Sequence, residues 1–210
     1  MGRLLNGING AVQGKVGSVV GSSWKGIPYL KGPYKKRTSK PGKAETANRK
    51  KFAAAQVFLK PLLAFVRVGF NGYSPTTEGF VAAKSWLLKN SFEGTPPKQS
   101  INPALVKLSA GDLPLSANIK FEKSGKDALS FSWDRTGLDQ IFDRDQVMLM
   151  AYDIDHGMAF STTTGQFRSN GSDILQIKAN KKSTYHLYAA FNASDRSKQS
   201  DSVYLGSVIL

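Results

Sequence analysis

The sequence predicts an α+β fold: a glycine-rich N-terminal β-hairpin and two helices, followed by a seven-stranded antiparallel β-sandwich. Three observations predict it. Glycines 7, 10, 14, 17 and 21 recur among valines. That pattern suits extended chain with bends, because each interior glycine costs a helix about 1 kcal/mol relative to alanine. From residue 44 apolar residues fall three and four apart, the helical period. Beyond residue 110 the period changes to two, in short runs separated by turn residues. A boundary near residue 100 follows, giving 1–100 as a basic hairpin-plus-helix domain and 101–210 as the sandwich.

In the first segment Val16, Val19, Val20, Trp24, Ile27 and Tyr29 are strand formers. Lys25-Gly26 suits the two-residue turn of a hairpin, and Pro28 confines its strand to an edge. The hairpin is expected to pack Trp24 on the helices. Pro33, Pro41 and Gly42 make the next stretch an arm. Phe52, Ala55, Leu59, Leu62, Leu63 and Val66 then share a helical face. Phe58 and Phe65 add a second apolar face, so this helix is expected to be covered on more than one side. Pro61 kinks or divides it. A second helix is expected over 77–90, capped by Thr76 or Thr77, with Glu78 favourable to its dipole. Residues 93–103 read as a linker.

The strands are expected at 119–122, 129–133, 147–152, 158–163, 173–177, 185–191 and 202–208. Ser124-Gly125, Asp155-His156-Gly157, Asn170-Gly171, the run 180–182 and Asp195-Arg196 supply turns. Seven strands at this spacing argue for a sandwich. Over 110–210 the pattern resembles a fibronectin type III or immunoglobulin-like domain: Trp133 points inward on the second strand, and Tyr185 stands where a tyrosine corner would sit.

Charge narrows the functional classes. The chain carries 29 Lys+Arg against 15 Asp+Glu, a net +14. Residues 1–100 hold 17 basic and 3 acidic residues, whereas 101–210 hold 12 of each. Nine basic residues crowd into 31–51: Lys31, Lys35, Lys36, Arg37, Lys40, Lys43, Arg49, Lys50 and Lys51. Such a run neutralises phosphates and releases counterions, and Tyr29 and Tyr34 beside it can stack on bases. Arg49, Lys50 and Lys51 in the first turns of a helix would oppose its dipole, a cost that favours a functional reading. Two other readings stay open: an acidic surface on a neighbouring subunit, or a solvated arm.

Other chemistry is thinly represented. There is no cysteine, so disulfides, thiolate metal sites and cysteine catalysis are excluded. His156 and His186, the only two histidines, show no partner pattern, and structural roles are expected. Asp153-x-Asp155-x-Gly157 lacks the late glutamate of a calcium loop and reads as a turn. Asp139, Asp143 and Asp145, interleaved with Arg135 and Arg144, read as a solvated, salt-bridged loop. The first residues lack the apolar core of a signal peptide. The longest apolar run, 62–66, is short of the roughly 20 residues of a membrane helix. A cytoplasmic or particle-assembled protein is expected, with no cofactor, no metal, no membrane insertion and no small-molecule substrate.

Three segments carry a wider resemblance. They are Asn6-Gly7-Ile8-Asn9-Gly10 with Gly14-Lys15-Val16-Gly17-Ser18-Val19-Val20-Gly21-Ser22-Ser23-Trp24-Lys25-Gly26, then Arg49-Lys50-Lys51-Phe52-Ala53, and finally Ser200-Asp201-Ser202-Val203-Tyr204-Leu205-Gly206. Together they resemble an uncharacterised Bacteroidota family of about this length, a domain of unknown function. The resemblance implies a shared two-part architecture and transfers no activity. The functional expectation is therefore a non-enzymatic structural protein that binds nucleic acid or another polyanion, in a particle or filament. The alternative is a self-assembling or surface-displayed interaction module, with the edge strand at 203–210 open to a second copy.

Overall fold

The computed structural model describes residues 3–8, 10–24, 26–96, 98–125, 127–135, 137, 139–178 and 182–210; for residues 4–8 it describes the backbone. The chain divides into two compact units, 1–42 and 43–210, whereas the sequence set its boundary near residue 100.

The first unit is an antiparallel sheet of four consecutive strands: β1 (Arg3–Ile8), β2 (Val12–Val16), β3 (Val19–Trp24) and β4 (Ile27–Lys31). The expected hairpin is its β3–β4 half, with Trp24 paired to Ile27 across the two-residue loop and Pro28 on the edge strand. Lys25 of that loop lies outside the described residues. The sequence reading missed a second tight turn. Val16 pairs with Val19, so Gly17-Ser18 is also a two-residue loop. Gly17 has φ +55°, the left-handed value that a type II′ turn requires at its first position. Gly21 is needed for a different reason: a Cβ there would overlap the Val12 carbonyl and sit 3.0 Å from the Val12 Cβ.

The second unit begins with α1 (Lys43–Leu59), a single 3-10 turn at Lys60–Leu62, and α2 (Leu63–Gly69). Pro61 makes the break, as its missing N–H and its ring predict. Then come α3 (Gly79–Asn90), β5 (Phe92–Glu93) and β6 (Ser100–Ile101). The cap of α3 differs from expectation. Glu78 holds the N-cap position without a side-chain hydrogen bond, and Thr77 instead bonds the Ser74 hydroxyl at 2.8 Å. The presumed linker 93–103 is also tied down: β5 pairs with β6, and Asn102 Nδ2 donates to Glu93 Oε1 at 2.8 Å.

The remaining strands are β7 (Lys120–Lys123), β8 (Ala128–Ser132), β9 (Gln146–Asp153), β10 (Met158–Thr162), β11 (Ser172–Gln176), β12 (Thr184–Asn192) and β13 (Val203–Ile209). The expected turn at 180–182 lies largely outside the described residues. The strands do not form one seven-stranded body. Among the described residues they fall, with the first unit, into four antiparallel sheets, here ordered β10-β9-β12-β13, β11-β8-β7 and β5-β6.

Two core clusters explain this arrangement. On β9, Val147, Leu149 and Ala151 face one cluster, shared with Leu129 and Phe131 of β8 and Leu175 of β11. The alternate residues Met148, Met150 and Tyr152 face the other, shared with Leu59, Leu62, Phe65, Ala83 and Leu87 of the helices. β12 divides in the same way, with Leu187 and Phe191 on one side and Tyr188 and Ala190 on the other. Residues 147–152 are apolar at every position because both faces of that strand are covered, the rule for a buried central strand. The layers are therefore helices, four-stranded sheet and three-stranded sheet. Tyr152 joins the first two: its ring meets Phe58 edge-on at 5.1 Å, and its hydroxyl donates to the Phe58 carbonyl at 3.0 Å, beside the Pro61 break.

The joined helix 43–69 contains an 18-residue window of mean hydropathy 1.4, long and apolar enough to cross a membrane by composition. Its side chains Leu59, Leu62, Phe65 and Val66 are all buried in the core of this unit. The helix is thus longer in apolar reach than the run 62–66 suggested.

Candidate nucleic-acid interface

The first unit has an unusual composition: eight basic residues and no acidic one in positions 1–42. No carboxylate side chain in 1–42 offsets those positive charges. The strand register then sets which side chains share a face. Trp24 pairs with Ile27, Ser22 with Tyr29, and Val20 with both Lys31 and Lys15. Directly opposed residues point the same way, so Trp24, Ile27, Tyr29, Lys31 and Lys15 lie on one face of the sheet. Trp24 is 51% exposed, Ile27 64% and Tyr29 43%. The Lys31 ammonium stands 5.9 Å from the centre of the Tyr29 ring, within cation–π range.

Sequence reasoning found Tyr29 and Lys31 and missed Trp24, which it assigned to packing; with half its surface exposed, Trp24 is not a core residue. Alternation along β3 carried the signal for its face, but not for whether that face is covered. Beyond β4 the chain has no regular structure until Lys43. Tyr34, Lys35, Lys36, Arg37 and Lys40 are all exposed along this arm, and Arg37 Nε donates to the Ser39 carbonyl at 2.9 Å.

The other four predicted site residues belong to the second unit. Lys43 opens α1, so Arg49, Lys50 and Lys51 stand past its first turn, where the dipole has faded. The argument from dipole opposition fails for that reason. Arg49 is held by Glu45 at 2.7 Å, one turn earlier, and the Lys51 ammonium sits 4.8 Å from the Phe92 ring centre. Local partners thus engage two of these cations. The basic run splits into a sheet-and-arm group and a helix group.

The polar clusters of the second unit have structural geometry. His156 Nδ1 lies 2.7 Å from Asp153 Oδ2 and 3.3 Å from the Ser183 hydroxyl. Both partners use the same ring nitrogen, whereas a catalytic triad needs the acid on one nitrogen and the nucleophile on the other. Asp153 also accepts from the His156 backbone N–H at 3.1 Å, closing the turn. Burial pushes the Asp153 carboxyl up, but its hydrogen bonds from His156 and Ser183 outweigh that and leave it below the usual range.

Asp145 is not in a solvated loop, as the sequence suggested: it is buried and paired at 3.2 Å with the equally buried Arg168. Burial raises its carboxyl above the ordinary range against the attraction of Arg168. His186 Nδ1 is 2.9 Å from the Tyr204 hydroxyl, and burial lowers its imidazole from the usual 6.5 against the pull of Asp155 and Asp153. Among the described residues no three His, Cys, Asp or Glu side chains group in a way that could hold a metal ion.

Comparison with known families adds one fact. A family model described as a family of unknown function, DUF6266, matches residues 11–206. The chain belongs to that family. No curated protein and no solved structure matches it. The match takes in β2 to β4 of the first unit and nearly all of the second.

Proposed function

We propose that this DUF6266 protein is a non-enzymatic structural protein that binds nucleic acid or another polyanion through its N-terminal unit. The carrying observation is the charge of that unit, eight basic residues and no acidic one, with the arm 32–40 wholly exposed. Lysines and arginines on an irregular arm can follow a backbone of phosphates without disturbing a packed core. The helix group around Lys50 is a secondary contact in this reading.

The layered unit supplies the scaffold, and its two larger sheets fit a fibronectin type III-like sandwich. Their order, β11-β8-β7 against β10-β9-β12-β13, supports that reading. So does the buried Trp133 just after β8. Among the described residues the Tyr185 hydroxyl has no hydrogen-bond partner, and the upstream residues 179–181 that a tyrosine corner would engage lie outside them.

Filter binding of a single-stranded oligonucleotide and of heparin across a salt series tests the function. The full chain should bind both at about 50 mM salt and weaken steeply towards 200 mM. The triple variant K35E/K36E/R37E should reduce the magnitude of the log–log salt slope by about 2, at roughly 0.7 per single-strand phosphate contact. Absence of binding to either probe at low salt overturns the proposal. A second reading, self-assembly, is favoured by one observation: all five residues of the edge strand β4 are exposed. Light scattering without ligand distinguishes it.

A further inference from the structure

The charge of the first unit explains attraction to any polyanion. It does not explain why one face of its sheet displays two aromatic rings beside Lys15 and Lys31. Trp24 and Tyr29 are diagonal neighbours, because Trp24 pairs with Ile27 and Tyr29 lies two residues further along β4. Side chains in that relation on one sheet face are about 7–8 Å apart. That is about twice the 3.4 Å rise per nucleotide along a stacked strand. An extended single strand can set successive bases on the two rings, whereas a strand inside a duplex keeps its bases closely stacked and turned away from such a face.

The surroundings match that occupant. Lys15 and Lys31 flank Val20 in the next row of the sheet, placing positive charge beside the rings where a backbone would run. Ser22, opposite Tyr29, adds a hydroxyl that can bond a base edge or a phosphate. The chain leaving β4 then carries Tyr34, which is 88% exposed, and the exposed Lys35, Lys36, Arg37 and Lys40. Aromatic platforms with a basic track are the general recipe for single-strand binding, and stacking is tolerant of sequence because every base has a π face. A second copy of the chain suits this face less well, since bringing Lys15 and Lys31 against their own equivalents sets like charges opposite one another.

We infer that the face bearing Trp24 and Tyr29 is a single-strand-specific platform: unpaired bases stack on the two rings while Lys15, Lys31 and the following arm hold the phosphates. The inference rests on the polyanion reading above and sharpens it to single-stranded nucleic acid.

The test uses the full chain and three probes: a labelled oligothymidylate of 12 nucleotides, a 12-base-pair duplex, and heparin. The variants are Trp24→Ala, Tyr29→Ala, Trp24→Phe and K35E/K36E/R37E. Losing one ring should weaken oligothymidylate binding about 5- to 150-fold, the range given by stacking at roughly 1–3 kcal/mol per base. Heparin binding should be nearly unchanged in the ring variants and weakened in the charge variant. Trp24→Phe should restore most single-strand affinity, and retained heparin binding in Trp24→Ala separates loss of the ring from loss of folding.

Equal affinity for duplex and single strand, or ring variants that bind oligothymidylate as the parent does, overturns the platform while the polyanion reading stands. Failure of the parent to bind either oligothymidylate or heparin overturns both. A concentration-dependent dimer that is lost in Trp24→Ala and indifferent to oligothymidylate would assign the face to self-association and also overturn the platform.

Discussion

Replacing Trp133 by alanine should bring the second unit close to its limit of stability. The indole is 5% exposed and meets Phe191 edge-on at 5.5 Å, and its Nε1 donates to the Arg168 carbonyl at 2.8 Å. Truncating a buried large aromatic costs about 3–5 kcal/mol in lost burial and cavity formation. The orphaned Arg168 carbonyl adds about 1 kcal/mol or more. Arg168 itself lies 4.0 Å from the Phe191 ring centre and is the partner of Asp145, so the cavity would open beside a buried charge. A total of about 4–6 kcal/mol is comparable to the whole stability of many domains, roughly 5–15 kcal/mol.

Urea denaturation followed by far-ultraviolet circular dichroism reads this as a lower midpoint at unchanged slope. Trp133→Phe should cost less, about 1–3 kcal/mol, because it keeps the ring contact and loses the donor. A loss below about 1 kcal/mol for Trp133→Ala would refute the packing of β8 against β12, since a core truncation without cost means the site was not closed.

Two further outcomes follow from the second unit. Gly69→Ala should destabilise, by about 1–3 kcal/mol on overpacking, although alanine in a helix normally gains about 1 kcal/mol over glycine. The reason is local: a Cβ there would overlap the Leu108 carbonyl and stand 2.9 Å from the Ser109 Cα, and thermal denaturation gives the sign. Stability should also fall as pH drops below 6.5. The half-buried His186 imidazole has a folded pKa below its unfolded value, so its contribution is complete above 6.5 and is lost as pH falls through the folded value. His186→Gln should flatten this part of the pH profile. The comparison isolates the group, because the raised carboxyl of Asp145 works in the opposite sense.

The β-strands of 119–208 were legible because their turns and two-residue period are local properties. Their assembly was not. The unbroken apolar run 147–152 signals a strand covered on both faces, yet nothing local says that helices supply one of the covers. Gly17-Ser18 between Val16 and Val19 was readable as a second hairpin turn, since a glycine-led pair between two strand formers suits a type II′ loop. The buried pair of Asp145 and Arg168 joins residues 23 apart and has no signature in either neighbourhood.

In the candidate site, composition located the basic arm directly. Trp24 was assigned to packing on the helices because alternation specifies a face and not its exposure. The helical cations looked more exceptional than they are, because Lys43 already opens the helix and Glu45 lies one turn before Arg49.

The central claim concerns where the polyanion binds, and lysine footprinting tests that location most directly. The full chain is acetylated with and without a 12-nucleotide oligothymidylate at low salt, and each lysine is read by mass spectrometry. The account predicts protection of Lys15, Lys31, Lys35, Lys36 and Lys40, with Lys120, Lys123 and Lys198 of the second unit unchanged. Protection confined to the second unit, with the first five lysines modified as fast as in the free protein, would contradict it.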